Sequence, residues 1–150
     1  MLSQTVEYAL RAFIYIARQS PRLVPAAEVA GSIDAPRNYL SKTLGVLARA
    51  GFLDSTRGAS GGFRIAPGSA ARPLSDLVST IEAREPRRCL LGYGECGANP
   101  DCTAHERWRP VADTTNAFFA NTTLNDLLYL PEARATPPSS EGFHPLLSHS

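Results

Sequence analysis

The sequence predicts a mainly α-helical fold with one small β-hairpin, arranged as a winged helix-turn-helix domain followed by a long C-terminal helix. Apolar residues recur at helical spacing in five segments. Two short segments flank a glycine-rich turn, which is the pattern of a hairpin. The chain has 150 residues, 43% of them hydrophobic, which is ordinary for one globular domain with an additional arm.

Three helices are predicted in the first third of the chain. The first covers residues 3–18 and is capped by the serine at its start. A short second helix covers residues 26–31. Asp34 is predicted to cap a third helix, which begins at Pro36 and is stopped by Gly51.

A hairpin and a fourth helix complete the predicted first domain. The strands are expected over residues 52–56 and 63–66, and the glycine-rich turn occupies 57–62. The fourth helix covers residues 75–82 and is capped by Ser75. Helices joined by short turns and followed by a hairpin are the order of a winged helix-turn-helix.

The predicted organisation divides the chain into four parts. The winged helix-turn-helix DNA-binding domain covers residues 1–84, and a cysteine-bearing loop covers 85–103. The long helix, which starts at the Asn-Pro dipeptide, and a closing element cover 99–130. The segment 131–150 is rich in proline and serine and is predicted to be a flexible tail.

Charge is distributed unevenly along the chain. The net charge is +1, but residues 1–88 contain twelve basic and seven acidic residues, and the remainder is acidic. A basic front and an acidic back suggest two separate tasks. No apolar run reaches the roughly 20 residues of a membrane span, and no signal peptide is recognised, so we expect a cytoplasmic protein without a membrane partner.

The first domain carries a candidate surface for double-stranded DNA. A helix that enters the major groove needs an apolar face against the domain and donors on the other face. Arginines that flank a glycine tip suit a phosphate or the minor groove. The candidate residues are Arg37, Asn38, Tyr39, Ser41 and Lys42 in the third helix and Arg57, Ser60, Gly61 and Arg64 in the hairpin. The alternative is an ordinary solvated surface.

Three cysteines and a histidine form a candidate metal or redox site: Cys89, Cys96, Cys102 and His105. If Asn99 caps the long helix, Cys102 is its third residue, where the helix dipole favours a thiolate. The cysteine gaps are wider than the knuckles typical of structural zinc, which favours an iron–sulfur cluster. Structural zinc and free thiols remain alternatives. A nucleophile–base pair of Cys102 and His105 is disfavoured because no orienting carboxylate or oxyanion motif is found, so no enzyme is expected.

The chain resembles the Rrf2 family of bacterial winged-helix regulators over about residues 1–130. The resemblance rests on motifs in the first helix, the third helix, the hairpin, the cysteine region and the closing element. These motifs are Glu7-Tyr8-Ala9-Leu10-Arg11, Tyr39-Leu40-Ser41-Lys42, Arg57-Gly58-Ala59-Ser60-Gly61-Gly62-Phe63, the three cysteines, His105-x-x-Trp108 and Thr122-Thr123-Leu124-Asn125-Asp126-Leu127.

The resemblance implies a homodimer paired through the long helix, a cluster near the dimer interface, and operator binding that depends on the cluster. In IscR-like members three cysteines and the histidine matched by His105 hold a [2Fe–2S] cluster. In NsrR-like members a [4Fe–4S] cluster takes an acidic fourth ligand from the partner's first helix, the place of Glu7. We favour His105 and [2Fe–2S], with the partner's Glu7 and [4Fe–4S] as the alternative.

Two positions depart from the IscR-like pattern. Six residues separate Cys89 from Cys96 where those members have five, and Ser41 replaces a glutamate. Trp108 is expected in the dimer core because aromatic side chains dominate such interfaces. The sequence therefore predicts a DNA-binding regulator controlled by an iron–sulfur cluster that senses redox state, nitric oxide or iron. A cluster-free thiol-redox regulator and a winged-helix protein with structural zinc are the alternatives.

Overall fold

The computed structural model describes residues 2–82 and 88–129 of the chain. The described part contains five α-helices and one two-stranded antiparallel sheet, so the predicted mainly α fold with a single hairpin is confirmed. In chain order the elements are α1 (Gln4–Arg18), α2 (Ala26–Ile33), α3 (Arg37–Arg49), β1 (Leu53–Thr56), β2 (Gly62–Ile65), a 3-10 turn (Ser69–Ala71), α4 (Leu74–Ile81), α5 (His105–Asn121) and a second 3-10 turn (Asn125–Leu127).

Helix α1 lies at the centre of the hydrophobic core. The predicted cap is confirmed, because the Ser3 hydroxyl accepts the backbone N–H of Val6 at 3.3 Å. The buried side chains of Val6, Phe13 and Ile16 line one face of the helix. That face packs against α2, α3, α4 and β2.

The turn between α2 and α3 differs from the prediction. Asp34 ends α2 in the left-handed conformation (φ 54°) and does not cap α3. Aspartate tolerates this conformation better than most residues. The Arg11 guanidinium donates to the carbonyl of Ile33 at 2.6 Å and so satisfies the end of α2. Helix α3 follows Pro36 without a side-chain cap, and Ser75, the predicted cap of α4, lies inside that helix.

The hairpin, residues 53–65, is called the wing below. Leu53 pairs with Ile65 in the antiparallel register, and Leu53 is buried. On the other edge of β2, Val24 and Phe63 exchange two backbone hydrogen bonds of 2.8 Å each. These bonds attach the wing to the segment between α1 and α2.

Two glycines of the wing are required by the fold itself. A Cβ atom on Gly61 would lie 2.1 Å from the carbonyl oxygen of Thr56, and one on Gly62 would lie 2.6 Å from the carbonyl group of Val24. Neither distance is possible for a side chain. Gly61 is also a predicted DNA contact, but packing within the chain already requires glycine at both positions.

The chain returns to the first domain after α5. The backbone N–H of Leu74 donates to the carbonyl of Thr122 at 2.9 Å, and the N–H of Leu124 donates to the carbonyl of Arg72 at 3.0 Å. The Leu124 side chain is fully buried in the core around α1. The closing element is therefore part of the same hydrophobic core as α1.

Helix α5 begins at His105, five residues later than predicted. The Asn99 carboxamide oxygen accepts the N–H of Asp101 at 2.9 Å, and the N–H of Cys102 donates to the Asn99 carbonyl at 3.3 Å. These bonds close a turn around Asn99 and do not start the helix. Cys102 therefore precedes the helix, and the prediction that it is the third residue of the helix is wrong.

Some predictions concern residues outside those described. The flexible tail predicted at 131–150 and the domain boundary predicted after residue 84 lie outside the described residues. The four-part division therefore remains a prediction. Among the described residues, none of the helices combines the length and apolar character needed to cross a membrane.

Glu28 joins the start of α2 to the chain around α1. Its carboxylate accepts hydrogen bonds from the Arg22 guanidinium at 3.0 and 2.6 Å and from the Tyr15 hydroxyl at 2.7 Å. The hydrogen bonds from Arg22, and then that from Tyr15, lower the pKa of Glu28 from 4.5 to about 2. The native fold therefore favours the ionised carboxylate.

We predict that Glu28 makes the free energy of unfolding depend on pH below 4.5. Because its pKa is lower in the folded chain, its contribution is complete above 4.5 and is lost as the pH falls through about 2. Glu28→Gln should reduce stability at neutral pH, and its difference from the wild type should shrink over this interval. Urea unfolding at a series of pH values measures the effect. Glu106→Gln, at a carboxylate that is 94% exposed, is the control, and an equal pH profile for both variants would contradict the prediction.

We predict that Gly61→Ala destabilises the chain by about 1–3 kcal/mol, because the added methyl group overlaps the Thr56 carbonyl. Gly31→Ala is the matched control. A Cβ at Gly31 meets nothing within 4 Å, and alanine there should stabilise α2 by about 0.5–1 kcal/mol. Thermal or urea denaturation compares the two, and a Gly61→Ala variant as stable as the wild type would refute the overlap with the Thr56 carbonyl.

Candidate DNA-binding surface and metal centre

The N-terminal part of α3 presents an exposed polar face. Arg37, Asn38 and Lys42 are exposed, while Leu40 and Leu44 on the opposite side are fully buried. No side chain caps the helix, so its first N–H groups are available to an anion. Among the described residues no ion pair is recorded for Arg37 or Lys42. The predicted amphipathic arrangement of this helix is thus present in the structure.

Two of the predicted DNA contacts in α3 are engaged within the chain. The Tyr39 hydroxyl forms a hydrogen bond with the Thr5 hydroxyl, and its ring packs edge-on against Tyr8 with 5.9 Å between the ring centroids. The Ser41 hydroxyl donates to the carbonyl of Arg37 at 3.0 Å. Tyr39 therefore fixes α3 to α1, and this contact was not visible from the sequence.

The wing exposes one free arginine and one paired arginine. Arg57 and Ser60 are exposed, and the described contacts record no ion pair for Arg57. Arg64 lies 3.9 Å from the Asp54 carboxylate, and both side chains are about half exposed. Exposed pairs of this kind are weak, so Arg64 can exchange Asp54 for a phosphate at small cost. Gly61 lies at the turn, where its close approach to the Thr56 carbonyl requires glycine.

The cysteine loop, residues 88–105, begins with a small closed turn. Arg88 and Glu95 form an isolated antiparallel bridge, and the N–H of Cys89 donates to the carbonyl of Gly94 at 2.8 Å. The turn brings Cys89 back toward the residues that precede Cys96. Gly94 adopts a positive φ of 87°, a conformation that glycine adopts without strain.

The four predicted donors lie in two close pairs. Cys89 Sγ is 3.6 Å from Cys102 Sγ, and Cys96 Sγ is 3.3 Å from His105 Nδ1. All three cysteines are free thiols. Within the described residues no group of three or more His, Cys, Asp or Glu side chains is close enough to hold a single metal ion. The structure thus brings the predicted donors together as pairs.

The electrostatic surroundings of two thiols show that the pairs are neighbours. The backbone N–H of Tyr93 lowers the pKa of the Cys89 thiol, with further hydrogen bonds from Leu91 and Cys102 in the same direction. Burial raises the pKa of the Cys96 thiol, and the nearby Cys89 and Cys102 raise it further. The Cys96 thiol is therefore close enough to Cys89 and Cys102 to interact with them electrostatically.

The imidazole of His105 is held in a defined orientation. Its Nδ1 faces Cys96, and its Nε2 lies 3.8 Å from the exposed Glu106 carboxylate. Gly97 packs against the ring, because a Cβ there would lie 3.3 Å from His105 Cε1. Glu7, the alternative ligand, is exposed on the first turn of α1, and the described contacts do not link it to the cysteine loop.

Trp108 has a role that sequence reasoning missed. Its indole Nε1 donates to the carbonyl of Arg88 at 2.9 Å and so ties α5 to the residue before Cys89. A partly buried indole N–H needs a hydrogen-bond acceptor, and the sequence could have indicated this contact only through that need. Whether Trp108 also enters a dimer core stays a prediction.

Helix α5 leaves an apolar stripe uncovered. Val111 is 50% exposed and Phe118 is 52% exposed, and seven positions apart they lie on one side of the helix. Ala112 is the one buried residue of α5. Pairing of this helix with a second copy stays a prediction.

Comparisons with known proteins identify the family and support the fold. A sequence profile of the Rrf2 family, described as iron-dependent transcriptional regulators, matches residues 2–129. An HTH-type transcriptional regulator of Aquifex aeolicus is 32% identical over 93% of this chain and 99% of its own length. The HTH-type transcriptional regulator IscR of Vibrio cholerae is 27% identical over 85% of this chain and 74% of its own.

The solved structure of CymR, the global cysteine regulator of B. subtilis, superimposes with a TM-score of 0.68. It covers 85% of this chain and 95% of the CymR chain at 22% identity, which supports the winged-helix fold. The profile match over most of the chain establishes the family. The protein belongs to the Rrf2 family of DNA-binding transcriptional regulators.

Proposed function

We propose that this regulator binds operator DNA as a homodimer in the cytoplasm and that an iron–sulfur cluster, [2Fe–2S] rather than [4Fe–4S], controls the binding. Cys89, Cys96, Cys102 and His105 are the proposed ligands. The observation that carries the proposal is the arrangement of these four donors in two close pairs. We propose no catalytic role, since the relatives are transcriptional regulators.

The spacing within each pair fits two donors on one metal atom. Two ligands bound tetrahedrally at about 2.3 Å lie about 3.8 Å apart. The observed separations of 3.6 Å for Cys89 and Cys102 and 3.3 Å for Cys96 and His105 are close to that value. Gly97 leaves the space that the His105 ring occupies. The residues present therefore fit the group that the family implies.

The pairing also bears on the kind of metal centre. A structural zinc site needs all four donors around one ion. In the described residues no three such side chains meet at one point, whereas two separate pairs suit a cluster in which each iron takes two protein ligands. This arrangement favours [2Fe–2S] over zinc, and it favours His105 over the partner's Glu7 as fourth ligand.

When bound, the cluster would supply a centre that responds to oxidants, nitric oxide or iron supply. The chain's own residues connect that centre to the dimer helix, because Trp108 bonds to Arg88 beside Cys89. The exposed stripe with Val111 and Phe118 is the proposed pairing surface of α5. Two copies of α3 then meet two operator half-sites about one helical turn apart.

The proposed DNA contacts are the exposed residues Arg37, Asn38 and Lys42 of α3 and Arg57, Ser60 and Arg64 of the wing. Tyr39, Ser41 and Gly61 are proposed to support the surface from within the chain. The free N-terminus of α3 and the unpaired cations support this interface.

We predict that anaerobically purified protein is coloured and contains about two iron and two sulfide per chain. His105→Ala should shift the visible spectrum, while Glu7→Gln should leave it unchanged. Metal and sulfide analysis with absorption spectroscopy measures both. One zinc per chain without sulfide would support the structural-zinc alternative, and a colourless metal-free protein with full DNA binding would support the cluster-free one.

We predict that Lys42→Ala weakens binding to every duplex sequence and reduces the slope of log K against log salt by about 1, as the loss of one phosphate contact requires. Arg49→Ala removes the same charge from the other end of α3 and is the matched control. Fluorescence anisotropy on genomic operator fragments at several salt concentrations measures both slopes. If the two variants behave alike, the N-terminal end of α3 is not the DNA contact.

A further inference from the structure

The three cysteines of the loop are not equivalent in their contacts. Cys89 Sγ and Cys102 Sγ touch at 3.6 Å. A disulfide bond is about 2.05 Å long, so the two sulfur atoms need to approach by only about 1.5 Å. Both are thiols in this structure.

Cys96 is engaged differently. Its Sγ lies 3.3 Å from the imidazole Nδ1 of His105, and its described hydrogen-bond contacts include no sulfur atom. Cys89 is 6% exposed and also accepts the backbone N–H of Leu91 at 3.4 Å, while Cys102 is partly exposed. An oxidant from solution therefore reaches Cys102 more readily than Cys89.

We infer that in the metal-free chain Cys89 and Cys102 form an intramolecular disulfide, which leaves Cys96 reduced. The bond itself does not depend on the proposed cluster. Its regulatory meaning does rest on the proposed function, because the disulfide removes one donor pair and so prevents cluster assembly until the bond is reduced.

The reaction balances with a small disulfide such as glutathione disulfide as the oxidant. The Cys102 thiolate attacks one sulfur of the oxidant, which forms a mixed disulfide and expels one glutathione thiolate. The Cys89 thiolate then attacks the Cys102 sulfur and expels the second glutathione. Two protein thiols lose two electrons, the oxidant is reduced to two glutathione molecules, and the two protons of the protein thiols pass to the expelled thiolates.

Backbone contacts around the pair favour ring closure over a lasting mixed disulfide. The bridge between Arg88 and Glu95 and the bond from the Trp108 indole to Arg88 hold Cys89 against the start of α5. Cys102 is held by its turn around Asn99. Because both partners are already positioned, closing the bond costs little further chain entropy.

The test uses the full chain, reduced and freed of metal with a chelator under anaerobic conditions, and then exposed to glutathione disulfide. Free thiols are alkylated and the protein is weighed intact. Because no lysine or arginine lies between residues 89 and 106, trypsin alone leaves all three cysteines in one peptide. Cleavage after Glu95 and before Asp101 separates them. We expect the mass of the intact chain to fall by two hydrogen atoms before alkylation. We also expect a link between the peptides of Cys89 and Cys102 and an alkyl group on Cys96.

Serine variants provide the controls. Cys96→Ser should lose two hydrogen atoms as the wild type does, whereas Cys89→Ser should stop with one glutathione attached at Cys102. A link that includes Cys96, a link between two chains, or a wild type that keeps only glutathione adducts overturns the inference. Iron and sulfide analysis of separately prepared anaerobic protein reports on the proposed cluster, so failure of one idea is distinguished from failure of the other.

Discussion

The burial of one face of α1 is the constraint on which the rest of the structure depends. Val6, Phe13 and Ile16 on this face are fully buried, and burial of a side chain of this size contributes about 1.5–3 kcal/mol relative to an exposed one. Polar side chains of the same helix then bind its neighbours. Arg11 closes the end of α2, Tyr15 binds Glu28, and Arg18 donates to the carbonyl of Leu128 in the closing element at 3.0 and 2.9 Å. A shift of α1 would therefore disturb α2, α3 and the return of the chain after α5.

The sequence predicted those features whose cause is local or periodic. All five helices lie in the segments where apolar residues recur at helical spacing, and the hairpin follows from its glycine-rich turn. Helix ends were less predictable. Asn99 followed by Pro100 is a common helix start, yet here the carboxamide closes a turn, and α5 begins only at His105. Asp34 similarly ends α2 and does not begin α3. The carbonyl of Ile33 at that end accepts a hydrogen bond from Arg11, which is distant in sequence.

The candidate metal site shows the same limit. Residue types and spacing predicted four donors, but not which donors would lie together. That division depends on backbone bonds, namely the bridge between Arg88 and Glu95 and the turn around Asn99, which place Cys89 beside Cys102 and leave Cys96 to the imidazole of His105. Such bonds have no signature in residue spacing. The close approaches at the wing glycines are of this kind as well, since they involve Val24 and a carbonyl five residues away.

The described contacts form a continuous connection from the cysteine loop to the C-terminal end of α3. Trp108 bonds the loop to α5, and the closing element after α5 bonds to the backbone of Arg72. The Arg72 guanidinium donates to the carbonyl of Ala50 at 3.0 Å and stacks on the Phe52 ring at 3.7 Å. Ala50 is the residue that ends α3. Because these groups are packed and hydrogen bonded, a change in the angle of α5 would displace a side chain that holds the end of α3, the helix proposed to contact DNA. In the proposed dimer, the state of the cysteine loop would thereby alter how the two copies of α3 meet the two half-sites of an operator.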